Sequence, residues 1–138
     1  MTAPVVSRWI ALAPYLLSLL RIVAALMFMQ AGTVKLFGWP MSMPGGGGTP
    51  ALTSQVGIGA LLEFVGGALL LVGLFTRPVA FILSGEMAVA YFQFHQPNGF
   101  WPVVNQGQPA VLYCFIWLYI SARGAGPWSL DALLRRSG

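Results

Sequence analysis

The hydrophobic positions of this chain fall into four long runs, parted by short polar or turn-rich stretches. They cover 15–37 (YLLSLLRIVAALMFMQAGTVKLF), 57–75 (GIGALLEFVGGALLLVGLF), 78–94 (PVAFILSGEMAVAYFQF) and 110–122 (AVLYCFIWLYISA). A bilayer-spanning helix needs about 20 mainly apolar residues. The first three runs reach or approach that length, and the fourth reaches it by extending into its flanking turns. Pro14 opens the first run and Pro78 leads the third, where the missing N–H costs a helix nothing. Only Thr76 and Arg77 separate the second and third runs, which predicts a tight antiparallel hairpin. The pattern predicts an all-α, integral membrane four-helix bundle, antiparallel, with residues 1–138 forming a single transmembrane domain.

Composition strengthens this reading. Hydrophobic residues make up 57% of the chain and charged residues 7%, against about 25% charged in a soluble domain. The first run is interrupted by Arg21 and no A-x-A site follows, so it reads as a retained span rather than a signal peptide. Outside the runs, Arg8, Arg77, Arg123, Arg135 and Arg136 all fall on one side of the predicted topology. The loops 38–56 and 95–109 contain neither Lys nor Arg. The positive-inside rule therefore places both termini in the cytoplasm. The net charge of +4 reflects this placement, and no nucleic-acid partner is expected. Trp39 and Trp101 fit the outer membrane edge, and the short GWP and FWP elements around them hint at a two-hairpin repeat. At the C-terminus, GPWSLDALLRR predicts a short interfacial helix over 129–136. Ser129 can cap it, Asp131 suits its first turn, and Arg135 and Arg136 suit its last. Trp128, Leu130, Leu133 and Leu134 can enter the interface.

Four ionisable residues lie inside the runs: Arg21, Lys35, Glu63 and Glu86. Each costs at least about 2.5–3.5 kcal/mol near a helix centre, so pairing is expected. Arg21 and Lys35 are about 40° apart around their helix and about 21 Å apart along it, hence on one face. Glu63 shares a face with Gly59, Gly66 and Gly73, which would admit another helix closely. Glu86 shares a face with Ala90 and Gln93. Matching depths predict the buried ion pairs Arg21–Glu86 in the inner half and Lys35–Glu63 in the outer half. Such pairs either lock the bundle or line a polar cavity that binds a ligand or moves a proton.

His95 ends the third run at the outer surface. It is either a structural hydrogen-bonder or a proton-exchange group, since an imidazole titrates near neutrality. The uncharged loop HQPNGFWPVVNQGQ supplies Trp101, Asn98, Asn105, Gln106 and Gln108. It is expected either to fold back over a site as a lid or to form a rigid interfacial turn. A single cysteine, Cys114, excludes an intramolecular disulfide, and a single histidine excludes a bis-His haem within one chain. Usual metal ligands are lacking, and Met41 and Met43 alone make a poor soft-metal site.

RIVAALMFMQAGTVKLFGW, GALLEFVGGALLLVGLFTRPVAFILSGEMAVAYF and HQPNGFWPVVNQGQPAVLYCFIWLYISARGAGPWSLD together resemble the DoxX family of small four-helix bacterial inner-membrane proteins. The resemblance spans about 21 to 131, with KLFGW, GFWP..N.G and GPWSLD as its most specific elements. It implies an inner-membrane location and a link to redox biology. Relatives include the quinone-reducing DoxD subunit of thiosulfate oxidation and a partner of detoxification enzymes. One departure matters: many relatives carry Glu where this chain has Gln108, which puts a transferred proton-accepting role in doubt.

The resulting expectation is a redox-linked membrane subunit, possible in a quinone-linked oxidoreductase, that binds a quinone in an outer-half polar cavity. Glu63 and His95 are the candidate catalytic residues, and Lys35, Trp101, Asn105 and Gln108 the candidate ligand-binding ones. A partner redox enzyme or a second membrane subunit would complete the assembly in the bilayer. A non-catalytic scaffold for such an enzyme, or a small transporter formed by a homo-oligomer, are the alternatives.

Overall fold

A computed structural model describes residues 3–43 and 48–137, without the side chains of 136 and 137. Gly45, Gly46 and Gly47 of the glycine run, and the expected role of Arg136, lie outside the described residues. All the regular elements among those residues are helical.

Helix α1 (Pro4–Ala11) is a short exposed helix that the hydrophobic runs did not predict. After Leu12 the chain continues as α2 (Ala13–Phe37), with Pro14 in its first turn. Gly38 ends α2 at φ 64°, in the left-handed region where glycine is unstrained. The second long helix, Gln55–Val72, comprises α3 (Gln55–Leu61), a π turn (Leu62–Gly66) and α4 (Gly67–Val72). The Ser54 hydroxyl caps its start by accepting from the Gly57 N–H at 3.1 Å. Helix α5 (Thr76–Ala90) is extended by a second π turn (Tyr91–His95) and a 3-10 turn (Gln96–Asn98). Then follow the one-turn α6 (Pro102–Asn105), α7 (Gln108–Arg123) and α8 (Leu130–Ser137).

The apolar runs thus become helices with shifted ends. The second stops at Val72 rather than 75 because Gly73 and Phe75 both take positive φ, 72° and 51°, and turn the chain. Two helices, Ala13–Phe37 and Gln55–Val72, are long and apolar enough to cross a membrane, with mean hydropathies of 1.7 and 1.9.

Helix α2 packs along the second long helix, and α5 packs along α7. Small residues set these approaches. Gly32 of α2 lies against the backbone of Ala60 and Phe64, Gly67 against Met29, and Gly66 against Leu83 of α5. Phe28 joins α2 to α7, with its ring 5.1 Å from Tyr113 and 5.5 Å from Trp117. Ala25, Phe28, Leu70, Leu83, Trp117 and Ile120 are fully buried among these helices. Outward, Leu19, Val23 and Leu26 of α2, Phe81 and Ile82 of α5, and Leu112 and Phe115 of α7 are exposed. Soluble monomers rarely show contiguous apolar surfaces beyond a few hundred Å².

The segment 124–131 closes the end of the molecule near Arg21. Arg21 is fully buried and gives Nε to Leu70 O at 2.8 Å, Nη2 to Trp128 O at 2.6 Å, and Nη1 to Ala125 O. Ser18 accepts from the Trp128 N–H at 3.1 Å. Ser129 caps α8, accepting from the Ala132 N–H at 3.1 Å. Asp131 does more than favour the first turn of its own helix. Its carboxylate accepts from the N–H groups of Phe75 and Thr76 at 2.9 and 3.0 Å, so it caps α5.

Candidate functional site

The Arg21–Glu86 pair expected from matching depths does not form. Depth fixes height along a helix but not direction around it. Arg21 turns toward α4 and the 124–128 segment, where three carbonyls take its guanidinium. Glu86 lies on α5 facing α3, with Oε1 3.5 Å from where a Cβ on Gly59 would stand. It joins the residues around Lys35 instead.

Those residues surround a cavity of about 350 Å³ between α2, the second long helix and α5. Its polar lining is Lys35, Gln55, Glu63, Glu86 and His95, and its apolar lining includes Val56, Val89, Ala90 and Phe94. Lys35 Nζ meets both Glu63 oxygens, at 3.0 and 3.1 Å. The Glu63 side chain is 5% exposed and that of Lys35 31%, so the ammonium stands on the more open side. Glu86 lies within electrostatic reach of both. Its Oε2 is buried and has no hydrogen-bond partner among the described residues.

Both π turns border this cavity. The first carries Glu63 and the second ends in His95. Such turns, with their i→i+5 hydrogen bonds, concentrate at functional sites. No apolar periodicity announces them. Gln55 caps no helix and pairs with no charge in the sequence, yet its amide bonds that of Gln93. Glu86, Val89, Ala90 and Gln93 share one helical face by spacing, and that signal was legible.

The loop after His95 takes a different part from a lid. His95 is the one member of 95–108 that lines the cavity. Its Nδ1 lies 3.1 Å from the carbonyl oxygen of Asn105. A carbonyl only accepts, so Nδ1 carries a hydrogen toward it. Asn105 is buried and organises the loop. Its amide donates to Gly99 O at 2.7 Å and Tyr91 Oη at 3.2 Å, and accepts from the Gly107 N–H at 2.8 Å. The Tyr91 hydroxyl in turn donates to Phe100 O. Of the expected ligand-binding residues, Lys35 lines the cavity, while Asn105 acts through its carbonyl on His95. Trp101 is 67% exposed and packs edge-on against Phe100, and Gln108 is exposed in the first turn of α7; neither reaches the cavity.

Elsewhere, Cys114 lies beside Ser84, whose hydroxyl donates to its carbonyl at 2.7 Å. Among the described residues no group of three or more His, Cys, Asp or Glu side chains could hold a metal ion.

The DoxX family model matches residues 16–96, a stretch that contains Lys35, Glu63, Glu86 and His95. The chain is 46% identical over 121 residues to an uncharacterized protein of Haemophilus influenzae, covering 86% of this chain and 90% of that one. No solved structure matches. The chain, with its paired and apolar-walled cavity inside the matched region, belongs to the DoxX family of membrane proteins.

Proposed function

We propose that this chain is a multi-pass protein of the bacterial inner membrane, a four-helix bundle with both termini cytoplasmic. Its spans are α2, the second long helix, α5 with its π turn, and α7. In this reading α8 lies in the inner interface, with Leu130, Leu133 and Leu134 exposed toward lipid. The chain serves as a redox-linked membrane subunit that holds a quinone headgroup between α2, α3 and α5.

One observation carries this reading. The cavity pairs a compact set of hydrogen-bonding groups, Lys35, Glu63, Glu86 and His95, with apolar walls from Val56, Val89, Ala90 and Phe94. Small-molecule sites combine few polar anchors with a mainly apolar lining, and a quinone is polar at its ring oxygens and apolar elsewhere. Electrons would come from a partner redox enzyme or a second membrane subunit.

Gentle purification from native membrane, organic extraction and mass spectrometry test the reading. A near-stoichiometric quinone per chain is expected. A content equal to that of an unrelated membrane protein of similar size would remove the quinone. It would favour the scaffold reading, for which the exposed leucine face of α8 is the handle. Deletion of 130–138 should then release the partner in a pull-down.

A further inference from the structure

The ionisable groups of the cavity are not equivalent. Glu63 has both oxygens on the Lys35 ammonium, so one negative and one positive charge offset each other locally. His95 commits Nδ1 to the Asn105 carbonyl. Glu86 has no such commitment. Its Oε2 is buried and unpartnered, and its Oε1 faces Gly59, a residue without a side chain to offer a hydrogen. The titratable groups that line the cavity with it are Lys35 from α2, Glu63 from the second long helix and His95 from its own helix. Helix α7 contributes no lining residue. Among the described residues that line the cavity, the one Lys or Arg, Lys35, is already matched to the Glu63 carboxylate. A second carboxylate here would be an uncompensated buried charge, and such groups neutralise rather than stay ionised.

We propose that Glu86 carries a proton at neutral pH and donates it as a hydrogen bond to a carbonyl oxygen of the ligand in this cavity. The Lys35 ammonium and the Glu63 carboxylate then offset each other, and Glu86 adds no charge to the pair. It selects a neutral molecule with a carbonyl acceptor on an apolar body and rejects anions. The ligand half of this inference rests on the proposed function, whereas the proton on Glu86 does not. In the sequence, matched depth alone pairs this carboxyl with Arg21.

Infrared spectroscopy on the full-length protein in lipid nanodiscs reads the proton directly. The chain has only three Asp and Glu residues, so the carbonyl stretch of a protonated side-chain acid is assignable. The band should be present at neutral pH, shift in D₂O, and vanish in Glu86→Gln. Binding of decylubiquinone, followed by equilibrium dialysis, reads the second half. Glu86→Gln keeps an N–H donor of the same shape and should bind within about threefold of wild type. Glu86→Ala and the better-packed Glu86→Leu should each bind at least about tenfold more weakly, the loss of one well-placed hydrogen bond. Absence of the band in the wild type, or its survival in Glu86→Gln, would overturn the protonated Glu86. Wild-type affinity in Glu86→Leu would overturn its role as donor. A wild type that shows the band but binds no decylubiquinone would overturn the quinone reading and the ligand half, leaving the proton on Glu86 standing.

Discussion

Arg21 donates through Nη2 to the carbonyl oxygen of Trp128 at 2.6 Å, across 107 residues of sequence. The same guanidinium reaches Leu70 O and Ala125 O, so a single buried side chain ties α2, α4 and the segment before α8. The planar fork of arginine suits several acceptors at once, which the single ammonium of lysine cannot match.

Replacing Arg21 should therefore be severe. Arg21→Met leaves three carbonyls without their donor, and the cost should be at least about 3 kcal/mol. Arg21→Lys should fall between it and wild type. Thermal unfolding of the detergent-solubilised protein measures both; equal stability of Met and wild type would show that water or lipid replaces the guanidinium.

Asp131 gives a pH signature at the same end of the molecule. Its partial burial opposes ionisation, but hydrogen bonds from the Thr76 and Phe75 N–H groups, aided by the charge of Arg135, outweigh this. Its pKa is held below the ordinary aspartate value. A carboxyl depressed in the folded state contributes stability above its unfolded pKa of about 3.9 and loses it as pH falls through the lower folded value. Asp131→Ala should cost about 1 kcal/mol at neutral pH, as loss of a helix cap does. It should also flatten the acid limb of stability below about pH 4. An unchanged acid limb would place that titration elsewhere.

The Lys35–Glu63 pair should show coupling. Lys35→Met leaves a nearly buried carboxylate alone and should cost about 1–3 kcal/mol. Adding Glu63→Gln should recover most of that loss, because the stranded charge is then gone. Additive losses in the double-mutant cycle would mean that the two side chains are solvated independently.

Two glycines on facing helices separate packing from propensity. A Cβ on Gly66 would stand 2.9 Å from Leu83 Cδ1, inside a fully buried contact. Gly66→Ala should cost about 1–3 kcal/mol by overpacking. A Cβ on Gly85 meets nothing within 4 Å. Gly85→Ala should stabilise by about 0.5–1 kcal/mol, since alanine is the better helix former. Equal effects at both positions would deny the close approach of the first π turn to α5.

The fold was legible where apolar runs are long. Their positions located α2, the second long helix, α5 and α7 to within a few residues, because a helix buries or exposes its apolar side chains in bulk. Depth also brought Lys35 to Glu63. It failed for Arg21 and Glu86 because depth says nothing of direction around a helix: Arg21 turns to Leu70 and the 124–128 segment, while the Glu86 side chain reaches toward Gly59. The π turns were not legible, since their extra residue leaves no mark on hydropathy. From sequence, Asn105 reads as a ligand-binding residue, because an amide in a loop has the same appearance whether it faces a ligand or its own backbone. Trp101 reads as an edge anchor in sequence, and its 67% exposure removes it from the cavity.

The stapling of Arg21 also bears on the order in which the protein is made. Ribosomes release the chain from the N-terminus, so Arg21 leaves the tunnel 104 residues ahead of its acceptor Ala125. Until the last segment arrives, α2 holds a charge that has only Leu70 O of its three acceptors. A chain truncated before Ala125 thus keeps a buried cation that lacks two of its three acceptors, Ala125 O and Trp128 O.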